Sequence, residues 1–370
     1  MFFRRLIRFA AVSAILVSCA APLAADSETG REIRCRADKQ DPILDFEFRF
    51  FTRYTLIIPV KDLVGPARTI HLSVDVTPLD LEGAEPVRFE NETAIDAIPE
   101  DAGGKVEVNA SFVTGEGRYH VNWQLKDSLG GHCSVEWTVQ AKLGRREDAV
   151  RLTIAPGEVG DSRVYLFRPE KVESDASLGR PLRVKVFLNF DPWRRRARAS
   201  VRLYEFAARV AALRAISRHP RIGEVGMVVY SVEEQDVLGR HGLQNYFDYA
   251  LLETAIDALT PGLVDISQLG RDKTRDFFTE MLEDELPAEE PVDAYIFLGP
   301  DAEWGRRAPR ERLAEIGELG VPVFALLSNQ APWRGLIGNT VKALGGVQFR
   351  FVGPRDLAEA LEDIVSSVTQ

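Results

Sequence analysis

The chain has 370 residues, 45% of them hydrophobic and 28% charged, which is a composition typical of folded globular proteins. A chain of this length is too long for one ordinary hydrophobic core, so we expect two domains. The formal net charge is −10, with 46 lysines and arginines against 56 acidic residues. This balance disfavours binding to nucleic acid through phosphate neutralisation, so we expect no nucleic-acid partner.

The N-terminus has the pattern of a secretory signal peptide. Arg4, Arg5 and Arg8 precede an uncharged apolar run at residues 9–17, and small residues follow. This run is too short to span a bilayer, and no later stretch reaches the roughly 18 apolar residues that a membrane helix needs. We therefore predict that residues 1–25 are a signal peptide, that the protein is exported to the periplasm, the cell surface or the medium, and that it has no transmembrane helix.

Two processing routes remain open for this segment. Residues 16–19 end in Cys19 and are similar to a bacterial lipobox, in which the cysteine is lipidated and becomes the mature N-terminus. Cleavage after Ala21 or Ala25 by ordinary signal peptidase would instead release a soluble protein. A lipid anchor through Cys19 is thus one of two alternatives.

Beyond Cys19 the chain has one even pair of cysteines, Cys35 and Cys133. In an oxidising compartment such a pair predicts a disulfide, which would close a loop of about 100 residues and stabilise the fold by constraining the unfolded chain. The alternative is two buried free thiols.

Residues 31–170 are predicted to be an all-β domain. Apolar and polar residues alternate with period two, and turn clusters such as residues 115–117 and 127–131 separate the runs. The clearest alternating runs are residues 45–50, 70–76, 105–110, 119–125 and 133–139. Repeated short strands of this kind favour an immunoglobulin-like sandwich. We expect Trp123 and Trp137 to fill its core, and the alternative is that they bind sugar.

Residues 171–181 are polar and small, as in a linker, and beyond them the pattern changes. Nearly continuous apolar runs predict buried parallel strands, and helical periodicities lie between them. The predicted strands are 184–190, 225–230, 235–240, 292–298, 321–327 and 347–352, and the predicted helices are 200–218, 246–258, 271–285, 309–318, 334–344 and 355–368. Residues 182–370 are therefore predicted to form a doubly wound, Rossmann-like α/β domain, with strands 225–230 and 235–240 as a hairpin.

This order of elements resembles the von Willebrand factor A domain, in which the second and third strands form a hairpin and the third is the antiparallel edge. The short sequence segments at residues 320–325, 344–349 and 356–361 also resemble that family. The resemblance covers roughly residues 182–370. The whole chain is similar to bacterial secreted proteins related to this domain. The resemblance implies a role in adhesion or assembly through protein contacts.

The resemblance also implies a divalent cation held by an Asp-x-Ser-x-Ser loop, a threonine and a further aspartate. Here the first loop has Asn189 and Asp191 without serine at either hydroxyl position, and Asp301 stands after the fourth strand. Asp265 lies near the threonine position. Since most of the oxygen ligands are missing, we predict a degenerate site without metal or other cofactor.

The loop after the first strand is basic and aromatic: Trp193, Arg194, Arg195 and Arg196. Ligands of open α/β sheets bind at the carboxyl ends of the strands, where this loop begins. One hypothesis is that it contacts an acidic partner or an anionic surface. The alternative is a solvated loop whose arginines pair with local acids.

No zinc motif, serine-nucleophile elbow or phosphate-binding loop is recognisable. We therefore expect a non-enzymatic, exported protein-binding or assembly module. The alternatives are a hydrolase or carbohydrate-active protein that uses Asp191, Asp265 or Asp301 as general acid or base, and an envelope structural protein tethered through Cys19.

Overall fold

The computed structural model describes residues 31–162, 169–191, 203–258, 271–286, 290–301, 310–316, 319–328 and 335–369. The fold is β-rich, with antiparallel sheets in the first half and a mixed sheet with helices in the second. The predicted signal peptide, Cys19, the loop from Trp193 to Arg196 and Asp265 lie outside the described residues.

Two antiparallel sheets form the first part of the chain. Their strands are β1 Arg36–Lys39, β2 Ile43–Leu44, β3 Phe50–Pro59, β4 Arg68–Pro78, β5 Val87–Ile95, β6 Lys105–Thr114, β7 Gly117–Asp127, β8 His132–Ala141 and β9 Val159–Asp161, and a 3-10 helix spans Val60–Asp62. One sheet has the order β5-β4-β7-β8 and the other β1-β3-β6-β9, with β2 paired to β3.

The two sheets share one apolar core. Trp123 and Trp137 are buried in it, as predicted, and the ring of Trp137 packs edge-on against Tyr54 at 5.3 Å between centroids. Cys35 and Cys133 are joined by a disulfide, with Cα atoms 6.3 Å apart. The bond therefore connects the segment that enters β1 to β8 in the facing sheet.

The strand predicted at residues 45–50 is wrong. The carboxylate of Asp45 accepts the backbone N–H groups of Glu47 and Arg49, and Phe48 takes a left-handed conformation at φ 56°. These local bonds satisfy the backbone within a turn, which outweighs the alternating pattern. The turn ends where β3 begins.

The second part is built on a mixed six-stranded sheet. The strands of this part are β10 Glu170–Lys171, β11 Leu182–Asn189, β12 Ile222–Ser231, β13 Asp236–Gln244, β14 Tyr246–Phe247, β15 Ala294–Gly299, β16 Val323–Leu327 and β17 Val347–Arg350. The order in the described sheet is β13-β12-β11-β15-β16-β17, in which only β13 runs antiparallel to its neighbour, and β10 pairs with β14 outside that sheet. The helices are α1 Leu203–Ser217, α2 Ala250–Ala258, α3 Arg271–Glu285, α4 Arg310–Glu315, α5 Leu336–Ala343 and α6 Pro354–Thr369.

Helices cover both faces of this sheet. One core cluster contains side chains of α1, α2 and α6, and a second contains side chains of α3, α4 and α5. Each predicted strand and helix of residues 182–370 has a counterpart among the described residues, and the antiparallel edge hairpin is confirmed. The predicted start of the helix at residues 246–258 is wrong: α2 begins at Ala250, because the carboxylate of Asp248 accepts the Ala250 N–H and the chain before it forms β14.

The segment predicted as a linker is held against the second part. Val172 is buried, and its N–H donates to the carbonyl of Asn245 at 2.8 Å. The carboxylate of Asp175 accepts the Ser177 N–H at the start of a 3-10 helix at Ala176–Leu178. The segment that connects the two parts is therefore ordered and packs against the second part of the chain.

Candidate functional site at the carboxyl edge of the mixed sheet

The carboxyl ends of β11 and β15 lie side by side, because these strands are parallel neighbours. The amide of Asn189, at the end of β11, donates to the carbonyl of Pro300 at 2.9 Å and so links the two following loops. Gly299 adopts φ 128°, and a Cβ there would lie 2.6 Å from the Asn189 carbonyl oxygen. Glycine is thus required where β15 passes the end of β11.

Asp191 follows β11 and is only 4% exposed. Its Oδ1 accepts the hydroxyl of Ser231 at 2.6 Å and the Glu233 N–H at 3.2 Å, and its Oδ2 accepts the Val232 N–H at 3.2 Å. Burial raises the pKa of this carboxyl, and the Ser231 hydrogen bond opposes that shift. Both carboxylate oxygens therefore bind the turn between β12 and β13.

Arg209 on α1 lies beside this carboxylate and is fully buried. Its Nη1 donates to the Phe190 carbonyl at 2.9 Å and its Nη2 donates to the Asp191 carbonyl. The charge of Arg209 also lowers the pKa of the Asp191 carboxyl against the larger effect of burial. The guanidinium thus supplies a fixed positive charge next to the loop that follows β11.

Asp301 follows β15 and is likewise 4% exposed. Its carboxylate accepts the N–H groups of Gly335 at 2.7 Å and Gly338 at 3.1 Å, at the start of α5. Burial raises the pKa of this carboxyl, and the two glycine N–H groups lower it. Because a helix N-terminus is an anion-binding position, Asp301 acts as an internal anion for α5.

Tyr230 is buried close to both carboxylates. The pKa of its phenol is raised well above 10.0 by burial, and the charges of Asp191 and Asp301 add to that effect. Its hydroxyl makes no hydrogen bond among the described residues. The phenol therefore stays protonated over the whole physiological range.

The described residues at this edge do not fit the divalent cation that the resemblance implies. Hard cations require free oxygen ligands, whereas the carboxylates of Asp191 and Asp301 already accept five hydrogen bonds from protein donors. A cation near Asp191 would also face the charge of Arg209. Within the described ranges, no group of three or more metal-ligating side chains occurs.

The structure therefore brings Asn189, Asp191 and Asp301 to one edge, as their positions after parallel strands predict. Sequence reasoning missed Arg209 and Ser231. A signal for Arg209 was present, since it is the only charged residue in the apolar run 206–213. Ser231 had no such signal, because its partner lies 40 positions away.

The comparisons with known proteins show structural likeness only. No protein-family model matches the sequence, and a search of curated proteins gave no match. Among solved structures, the chain is similar to a conserved hypothetical protein BatB from Bacteroides thetaiotaomicron, at 16% identity and a TM-score of 0.33, covering 50% of this chain and 98% of that chain.

Two further structures give comparable values. An aerotolerance-related membrane protein from Bacteroides fragilis matches at 13% identity and a TM-score of 0.32, over 50% of this chain and 98% of that chain. Proximal thread matrix protein 1 from the mussel byssus matches at 16% identity and a TM-score of 0.32, over 50% of this chain and 45% of that chain. Likeness at this level supports no inference about activity or partners.

Among the described residues, no helix is both long and apolar enough to cross a lipid bilayer.

Proposed function

We propose that this chain is an exported, non-enzymatic protein that binds a protein partner in adhesion or assembly, without a coordinated metal ion. In this proposal the first part is an immunoglobulin-like sandwich that serves as a spacer or second contact surface. The second part is a von Willebrand factor A-like domain whose metal site has degenerated. The partner contacts the carboxyl edge of the mixed sheet.

The hydrogen bonding of Asp191 carries this proposal. Both of its oxygens are bound by Ser231, Val232 and Glu233, so a cation would have to displace three donors from a buried carboxylate. Each hydrogen bond to a charged group is worth about 1.5–3 kcal/mol. If Asp191 keeps these hydrogen bonds, no cation is available to bind the partner. The partner is then recognised by the shape and charge of the protein surface.

Metal binding can be tested directly with the full-length mature protein. The protein is titrated with Mn²⁺, and binding is monitored by calorimetry and by the electron paramagnetic resonance signal of the free ion. We expect no saturable site at the carboxyl edge. Asp191→Asn is the matched variant, since it keeps the side-chain shape. A stoichiometric site in the wild type that is lost in Asp191→Asn would contradict the proposal.

Partner binding is tested by placing a photo-crosslinking amino acid at Asp236 in intact cells. Asp236 is exposed at the start of β13, beside the loops of the carboxyl edge. Glu290 is a matched control, because it is an exposed acid that precedes β15 at the opposite edge. We expect a crosslinked protein from position 236 that persists in EDTA. Loss of the adduct in EDTA, or equal adducts from both positions, would refute binding of this kind.

Export and anchoring have their own test. Mass spectrometry of the mature N-terminus distinguishes a lipidated Cys19 from cleavage after Ala21 or Ala25, and globomycin blocks only lipoprotein processing. Accumulation of an unprocessed form in globomycin would assign the anchor to Cys19. A protein that retains residues 1–25 and remains in the cytoplasm would remove the export proposal.

One observation favours a second candidate, a hydrolase or carbohydrate-active protein. Burial raises the pKa of both Asp191 and Asp301, as a general acid requires. Their engagement with protein donors and their 4% exposure weigh against it. Hydrolysis of nitrophenyl glycosides or esters that is lost in both Asp191→Asn and Asp301→Asn would establish this candidate instead.

A further inference from the structure

A cavity of about 160 Å³ that is partly open to solvent lies between the two parts of the molecule. Its walls come from the turn after β2, the segment 149–153, α1 with the residues that follow it, and α6. Apolar side chains form much of the lining, among them Phe46, Phe48, Leu152, Ala211, Ala215 and Leu361. An apolar cavity of about 150 Å³ accommodates a benzene-sized molecule.

The charged side chains at the cavity are already paired with each other. Arg151 lies 2.9 Å from Glu362, Arg214 lies 2.9 Å from Glu47, and Arg218 lies 3.0 Å from Glu47. A charged ligand would have to disrupt one of these pairs or remain without a counter-charge, and burying an unpaired charge is costly. The walls therefore favour a neutral occupant.

His219 provides the polar feature of the cavity. It is 7% exposed, and its Nδ1 accepts the Arg221 N–H at 3.2 Å, so the neutral ring carries its proton on Nε2. Nε2 lies 3.5 Å from Oε1 of Glu362, at the limit of a hydrogen bond, and has no closer acceptor among the described residues. A buried donor that has only this long contact is a position where a ligand acceptor at the wall of the cavity gains free energy.

We propose that this cavity is a binding site for a small neutral molecule with an apolar body of benzene size and one hydrogen-bond acceptor. The body fills the space between Phe46, Ala215 and Leu361, and the acceptor takes the hydrogen bond of His219 Nε2. This site is independent of partner binding at the carboxyl edge, so either proposal can fail alone.

The test uses three probes of similar size and shape with the full-length mature protein: phenol, toluene and benzoate. Binding is followed by ligand-observed NMR and by chemical-shift changes of the protein. We expect saturable phenol and toluene binding, with benzoate at least roughly 10-fold weaker because its charge lacks a partner. No saturable phenol binding, or benzoate binding that exceeds phenol binding, would overturn the proposal.

Two variants separate the cavity from its polar feature. Ala215→Leu fills the cavity and should abolish both phenol and toluene binding, whereas Ala207→Leu, on the same helix but not on the cavity wall, should leave both unchanged. His219→Phe should weaken phenol by roughly 3- to 10-fold while changing toluene less than about 2-fold.

Phenol binding that persists in Ala215→Leu would place the probe elsewhere and overturn the proposal. Equal losses of phenol and toluene in His219→Phe would remove the role of Nε2. If Ala215→Leu does not fold, as judged by circular dichroism, Ala211→Leu fills the same cavity from the preceding turn of α1 and decides the question in the same way.

Discussion

Nη1 of Arg214 lies 2.9 Å from Oε1 of Glu47, across 167 positions of sequence. The two side chains are 4% and 10% exposed, so the pair is largely removed from water. Arg218 and Glu170 join it, with each arginine in contact with both carboxylates. This four-residue cluster, with Phe48 and Val150 in the core of the second part, holds the turn after β2 against α1.

Removing one charge from this cluster should destabilise the protein. Glu47→Gln leaves Arg214 buried with one carboxylate partner fewer, and we expect the free energy of unfolding to fall by about 1–3 kcal/mol. Urea denaturation measures the change. Glu90→Gln on β5, whose side chain is 68% exposed, is the control and should stay within about 0.5 kcal/mol. Equal effects of the two substitutions would show that the cluster contributes little.

The Ser231 hydroxyl should contribute measurably to the structure of the carboxyl edge. Ser231→Ala removes the 2.6 Å bond to Asp191, and we expect a loss of about 1–3 kcal/mol on urea denaturation. The exposed helix residue Ser366 provides a control, because Ser366→Ala removes a hydroxyl with no buried partner. An unchanged midpoint for Ser231→Ala would mean that the carboxylate finds an equivalent donor.

The raised pKa of Asp301 predicts a pH dependence of stability with a definite sign. A carboxyl whose pKa is higher in the folded state than in the unfolded state favours folding in its protonated form. The stability of the wild type relative to Asp301→Asn should therefore increase as the pH falls from neutral towards 3.8, and level off below that value. Urea denaturation of both proteins across this range measures the difference. A difference that shrinks on acidification would contradict the burial argument.

His219 should have the opposite effect on acidification. Burial lowers the pKa of its imidazole below 6.5, while the Glu362 carboxylate raises it and Arg151 lowers it further. As the pH falls, the imidazole therefore binds a proton at a higher pH in the unfolded chain than in the folded chain. The stability of the wild type relative to His219→Gln should consequently fall as the pH drops below 6.5. An NMR titration of the imidazole checks the pKa directly. Glu362→Gln should lower that pKa further, and a rise in this variant would refute the assignment.

The disulfide should stabilise the first part of the chain. It joins residues 98 positions apart, and its removal in the double variant Cys35→Ser with Cys133→Ser should cost about 2–5 kcal/mol. Thermal unfolding followed by circular dichroism measures the loss. Reduction of the wild type should reproduce it, and an unchanged melting temperature in both experiments would argue for two thiols in the native protein.

Much of the fold follows from local patterns. Alternation of apolar and polar residues predicts strands with one buried face, and continuous apolar runs predict strands covered on both sides, as the burial of β11 and β15 shows. Residues that follow neighbouring parallel strands must meet at one edge, which places Asn189, Asp191 and Asp301 together. The roles proposed for Cys19, Trp193 and Arg194–Arg196 stay predictions, since those residues lie outside the described ranges.

The tertiary structure decided what each buried group touches. Phe46 and Phe48 alternate as in a strand, yet they lie in a turn and pack against the second part of the molecule. Asp191 is bound by a turn some 40 residues away and lies beside Arg209, so its carboxylate oxygens accept hydrogen bonds from the protein's own donors. Periodicity depends only on neighbouring residues and therefore determines which face of an element is buried. Which distant residue a buried group contacts depends on how the elements pack, and this cannot be predicted from the spacing of neighbouring residues.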